Sequence, residues 1–110
     1  MSEDVIFTII LHAGNARAEA YEALRIAQTG NFAGAEECLR RAEAEIGMAH
    51  KVQTSLIQKE ADGEAVGMSL LFVHAQDHLM TAIAEKTLIE NMMVMHRRIH
   101  ELERKLEVTV

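Results

Sequence analysis

Leu70-Leu71-Phe72-Val73-His74-Ala75-Gln76-Asp77-His78-Leu79-Met80-Thr81-Ala82-Ile83 is apolar on nearly every side when wound as a helix. A helix that is apolar all round is buried all round. Its polar members are few, and His74, Asp77, His78 and Thr81 fall on one face at i, i+3, i+4 and i+7. Imidazole and carboxylate are costly to bury unless paired, liganded or wetted. The stretch therefore predicts both a packing partner and a chemical centre.

Working outward, it belongs to the third of three helical segments, running from about Met68 to Leu106. Arg97, Arg98, Arg104 and Lys105 stand late in it, where a helix dipole favours cations. The first segment runs from about Glu3 to Ala27, with Ser2 as N-cap and Glu3 and Asp4 in its first turn. Ile6, Ile9, Ala13, Ala16, Ala20, Ala23 and Ala27 make one seam at 3-4 spacing. Most of that seam is alanine, so a neighbouring helix can come close. Gly30 stops the first segment and Asn31 caps the second.

The second segment, about Phe32 to Glu60, has the seam Phe32, Ala35, Leu39, Ala42, Ile46, Ala49, Gln53 and Leu56. Glu36, Arg40, Arg41, Glu43 and Glu45 mark its solvated face. Asp62-Gly63 and Val66-Gly67 bound the second break. The expected fold is all-α, an antiparallel three-helix bundle forming a single domain over 1–110. Two helices from the same chain cover only part of the third, so the remainder is expected to meet another subunit.

Composition agrees. With no Pro, no Trp, three Phe and one Tyr in 110 residues, the core must come from Ala, Leu, Ile and Met. Such a core is thin, which again favours oligomerisation. Seventeen acidic residues against eleven Lys and Arg give a net charge of −6, the wrong sign for a nucleic-acid partner. The single cysteine, Cys38, excludes a disulfide framework and fits a reducing cytoplasm; it is expected to be a packing residue. The start Met-Ser-Glu-Asp and the interrupted apolar run Val5 to Leu11 suit neither a signal peptide nor a membrane span.

Three readings of the polar stripe follow from its residues. One is a satisfied His/Asp hydrogen-bond cluster. A second is a metal site, which needs ligands from another helix or from symmetry copies; the di-iron signature Glu-x-x-His is absent from the chain. The third is a nucleophilic imidazole with a carboxylate nearby. Elsewhere, His96 and His100 with Arg97 and Arg98 read as a solvated basic patch, His12 and His50 as core or boundary residues, and Met92, Met93 and Met95 as gap-filling core.

Val73-His74-Ala75-Gln76-Asp77-His78-Leu79-Met80 resembles the active-site helix of the lactose/cellobiose-type IIA subunits of the bacterial phosphoenolpyruvate-dependent sugar phosphotransferase system. Ala13-Gly14-Asn15-Ala16-Arg17 with Glu22-Ala23-Leu24 resembles that family's first helix. Gly30-Asn31-Phe32 with Ala35, His50-Lys51-Val52-Gln53-Thr54 and Glu60-Ala61-Asp62-Gly63-Glu64 resemble its second helix and the loop that follows. The likeness spans roughly Ile6 to Lys105 in order.

The resemblance implies a homotrimer of three-helix subunits that works as a phosphotransferase component. It implies His74 as the phosphorylated residue, Gln76 and His78 as supporting residues, and Asp77 at the trimer axis, where three copies hold Mg²⁺ or another divalent cation. The implied partners are HPr as phosphoryl donor and the IIB subunit as acceptor, with the membrane IIC permease engaged indirectly and no direct membrane insertion. Sugar need not touch the chain, and no aromatic sugar-binding cluster is evident. The Ala75 form of the motif leans toward a cellobiose or β-glucoside branch over lactose. The alternative of a different class is a non-enzymatic helical oligomer with a structural or regulatory His/Asp metal site.

Overall fold

The computed structural model describes Glu3–Thr109 and consists, over those residues, of three helices in up-down-up order: α1 (Glu3–Gln28), α2 (Phe32–Ala61) and α3 (Leu70–Thr109). The bundle is a rod with extents of 67 × 21 × 20 Å. Its length is that of α3, whose 40 residues rise about 60 Å at 1.5 Å per residue. The helix nature of all three segments matches the apolar periodicity. Ser2, the expected cap of α1, lies outside the described residues.

The α1 seam is buried as expected, with Ile6, Ile9, Ala13, Ala16, Ala20, Ala23 and Ala27 all in the core. Alanine at five of these seven positions lets α1 lie close to both other helices, while α2 and α3 meet each other more sparingly. Two apolar clusters result. One holds Ile9, Leu56, Phe72 and Leu79, at the end where α3 begins. The other holds Ala23, Cys38, Ile89 and Met93, toward the α1–α2 turn.

On α2 the buried face is rotated slightly from the expected seam. Cys38 is buried, whereas Phe32 and Leu39 are only half-buried. Burial raises the Cys38 thiol pKa, against the opposing pull of the Arg41 guanidinium, which donates to its Sγ at 3.2 Å. Glu45 leaves the expected solvated face: its carboxylate lies 2.5 Å from Nδ1 of His12 on α1 and is half-buried. His12 is thus a boundary residue as expected, but His50 is exposed. Of the three methionines assigned to the core, only Met93 is buried, because Met92 and Met95 project from the side of α3 that faces neither neighbour.

The α1–α2 turn is built as read. Gly30 has φ +89°, and the Asn31 side chain accepts a hydrogen bond from the Gly34 amide at 2.9 Å. The distal part of α3 packs over this turn. His100 meets the Phe32 ring edge-on at 5.6 Å, and the Arg97 guanidinium lies 4.8 Å over the same ring while donating to Glu36 at 2.8 Å. The basic patch is therefore partly engaged rather than wholly solvated.

The third helix starts at Leu70, two residues later than expected. The Ser69 hydroxyl accepts from the Phe72 amide at 3.1 Å, and the Ser69 carbonyl accepts from the Val73 amide at 3.0 Å. Ser69 is an N-cap that the glycines upstream of it obscured.

Candidate functional site

The fold leaves one side of α3 bare. Phe72, Ala75, Leu79, Ala82, Ile89 and Met93 face the core. Directly opposite run Leu70, Val73, Met80, Leu88, Met95 and Leu102, all exposed, with Leu70 at 87%. Asp77 stands in this outward stripe, one turn from Val73 and three residues before Met80. The stretch expected to be buried all round is thus buried on one side within a single chain, as two partner helices allow.

His74 and His78 lie on the flank of α3 beside the stripe. Their rings meet edge to face, with centroids 4.6 Å apart and planes at 88°. His78 is half-buried, whereas His74 and Asp77 are exposed. The buried, desolvated cluster expected from the sequence is therefore not made by one chain. The four-residue spacing brings the two imidazoles together, and it leaves His74 the outermost of the pair. An exposed imidazole nitrogen can accept an incoming electrophile, and the neighbouring ring limits the rotamers of His74 without covering it.

Gln76 takes the other flank. Two residues on a helix are about 200° apart, so Gln76 and His74 of one chain do not share a face. Gln76 instead reaches α2, where its Oε1 accepts a hydrogen bond from Gln53 Nε2 at 3.2 Å. Gln53 is the one buried polar side chain among the described residues, 8% exposed. The sequence carried a signal for this pair: Gln53 interrupts an otherwise apolar seam, and a polar residue in that register needs a partner.

Among the described residues, no three His, Cys, Asp or Glu side chains gather as a metal site. The Asp77 oxygens are hard donors of the kind Mg²⁺ prefers, but one carboxylate per chain fits such an ion only if further copies contribute theirs. No described helix is long and apolar enough to cross a membrane.

The family described as "PTS system, Lactose/Cellobiose specific IIA subunit" matches residues 4–97. The chain is 46% identical over 99 residues to the lichenan-specific phosphotransferase enzyme IIA component of Bacillus subtilis, covering 90% of each. It is 44% identical to the galactose-specific EIIA component of Lactococcus lactis, covering 92% of this chain and 87% of the relative. Among solved structures it is similar to the PTS cellobiose-specific enzyme IIA from Bacillus anthracis, at 43% identity and TM-score 0.88, covering 92% of this chain and 94% of that one. It is also similar to the IIA(Chitobiose) in complex with HPr from Escherichia coli, at 35% identity and TM-score 0.77, covering 89% and 95%. The non-enzymatic alternative falls with these likenesses, since they place the chain among phosphotransferase components. An exposed histidine on a half-covered helix and likeness over nine-tenths of the sequence meet at one conclusion: the chain belongs to the lactose/cellobiose-specific IIA subunits of the bacterial sugar phosphotransferase system.

Proposed function

We propose that this chain is a cytoplasmic phosphocarrier whose His74 takes a phosphoryl group from phospho-HPr and passes it to a cysteine of the IIB subunit. That subunit would then serve the membrane IIC permease during disaccharide uptake. The observation that carries the reading is the exposed His74 imidazole, flanked by the His78 ring, on the uncovered end of α3. A ring nitrogen of His74 attacks phosphorus while the P–N bond to the HPr imidazole breaks. His74 sheds a proton from its other nitrogen, and the departing imidazole takes one up. In the second step a thiolate attacks, the P–S bond forms, and the electron pair of the broken P–N bond returns to the His74 ring. The proton that the cysteine released on becoming a thiolate is balanced by the one taken up by that ring. Such transfers proceed through a loose transition state, so positioning and charge stabilisation supply most of the rate.

The apolar outward stripe supports a homotrimer assembled through α3. Packing that face against copies of itself would also bring the Gln76 flank of one chain beside the His74 flank of the next. Gln76 would then lend its amide to a neighbour's phosphoryl group, and His78 would steady its own chain's His74. Asp77 lies in the same stripe. Three copies of Asp77 at the axis would hold Mg²⁺ or a similar divalent cation, which would offset their mutual repulsion. A cellobiose or β-glucoside branch is favoured over lactose by Ala75 in the motif.

The deciding experiment supplies phosphoenolpyruvate, enzyme I and HPr. Wild type should acquire an acid-labile, base-stable phosphoryl group, and His74→Ala should acquire none while keeping its helicity. Normal phosphorylation of the variant would overturn the assignment. Uptake of labelled cellobiose and lactose in cells that depend on this chain tests the branch.

A further inference from the structure

A primary amide has two unlike ends, a carbonyl oxygen that accepts and an NH₂ that donates. The Gln76 carbonyl is occupied, because Gln53 Nε2 reaches it from α2 at 3.2 Å. The amide is held by its oxygen, which leaves its two N–H donors for another acceptor. Phosphoryl oxygens are anionic and accept hydrogen bonds; an amide turned the other way would present them with a second acceptor. Gln53 is itself fixed, buried on the α2 seam between Ala49 and Leu56.

We propose that Gln53 is a positioning residue: by donating to the Gln76 carbonyl it selects the amide orientation that offers N–H to the phosphoryl group on the His74 of a neighbouring copy. The inference rests on the phosphocarrier and assembly readings above, and it assigns a task to a residue outside the motif. Gln53 touches no reacting atom and acts only through Gln76.

The two substitutions that test it have opposite chemistry and nearly the same volume. Gln53→Met removes the donor and leaves the Gln76 amide free to turn. Gln53→Glu, ionised, is an acceptor alone; it captures the Gln76 NH₂ and turns the carbonyl outward. Phosphoryl uptake from phospho-HPr should slow modestly in the methionine variant and by about tenfold in the glutamate variant, the scale of one hydrogen bond to a charged group. A buried glutamic acid protonates more readily than an exposed one, and its O–H then donates to the Gln76 carbonyl as Gln53 does. Lowering the pH should therefore restore the glutamate variant relative to wild type. A purely structural role for Gln53 predicts no such recovery. In a Gln76→Ala background neither substitution should slow uptake further.

If both variants transfer at the wild-type rate while wild type is phosphorylated on His74, the positioning role is overturned and the phosphocarrier reading stands. Loss of uptake with no dependence on pH or on Gln76 overturns it equally, as general disruption. If wild type takes up no phosphoryl group at all, both readings fall together. The methionine variant keeps the test decisive should the glutamate variant fail to fold.

Discussion

The rings of His74 and His78 meet edge to face, 4.6 Å between centroids and 88° between planes, one helical turn apart on α3. One ring is exposed and the other half-buried. On the proposed reading this asymmetry assigns the rings different tasks: the outer one would meet a partner's phosphoryl group, and the inner one would orient it.

Replacement should therefore have unequal effects. His74→Ala is expected to abolish uptake. His78→Ala should retain it at a rate reduced by roughly ten- to hundredfold, the cost of a loosened nucleophile rather than a missing one. Labelling with phospho-HPr, followed by mapping of the modified residue, decides between them. Phosphorylation lost in His78→Ala and kept in His74→Ala would exchange the two roles.

The proposed place of Asp77 at a trimer axis predicts that assembly depends on divalent cations. Wild type should sediment as a trimer with Mg²⁺ and loosen in chelator at neutral pH. Asp77→Asn should assemble whether or not chelator is present. Asp77→Leu deletes the ionic link and alters the axial packing, and should shift toward monomer or dimer while His74 remains phosphorylatable. A trimer indifferent to chelator, with no bound metal in the purified protein, would remove Asp77 from the metal assignment.

At the other end of the rod, Gly30 combines a left-handed backbone with a close neighbour. Its φ is +89°, and a Cβ built there would come within 3.2 Å of Cε1 of His100. Gly30→Ala should destabilise the protein by about 1–2 kcal/mol. Thermal unfolding reads this directly. Transfer by the folded variant should be unchanged, since Gly30 and His74 lie at opposite ends of the bundle; an unchanged melting temperature would contradict the turn as described.

Lys86 lies between Glu43 of α2, at 2.5 Å, and Glu90 of its own helix, with only 14% of its side chain exposed. Burial alone would lower its pKa, but the two carboxylates outweigh burial and raise it above the ordinary lysine value. With the folded pKa raised, the stabilisation is complete below the unfolded value of about 10.4 and fades as pH rises through the folded one. Lys86→Met should cost about 1 kcal/mol at pH 8. That gap should close in strongly alkaline buffer. A gap that is constant from pH 8 to beyond pH 11, measured by denaturant unfolding, would show that the ion pairs contribute nothing.

Much of this protein is local, and so was legible in its residues. The alanine seam of α1 is buried residue for residue because 3-4 spacing alone sets which side of a helix faces inward. Gly30 and Asn31 end one helix and start the next through their own backbone and side-chain chemistry. His74 and His78 adjoin because four residues make about one turn. Tertiary structure decided what spacing cannot, namely which polar groups from different helices meet and which apolar faces stay uncovered. Gln53 found Gln76, and Glu45 left its solvated face for His12, across distances in sequence that no periodicity encodes. Leu70, Val73 and Met80 stayed exposed because α1 and α2 together enclose only one side of α3. Helical periodicity is a property of one segment, whereas desolvation depends on every segment packed around it.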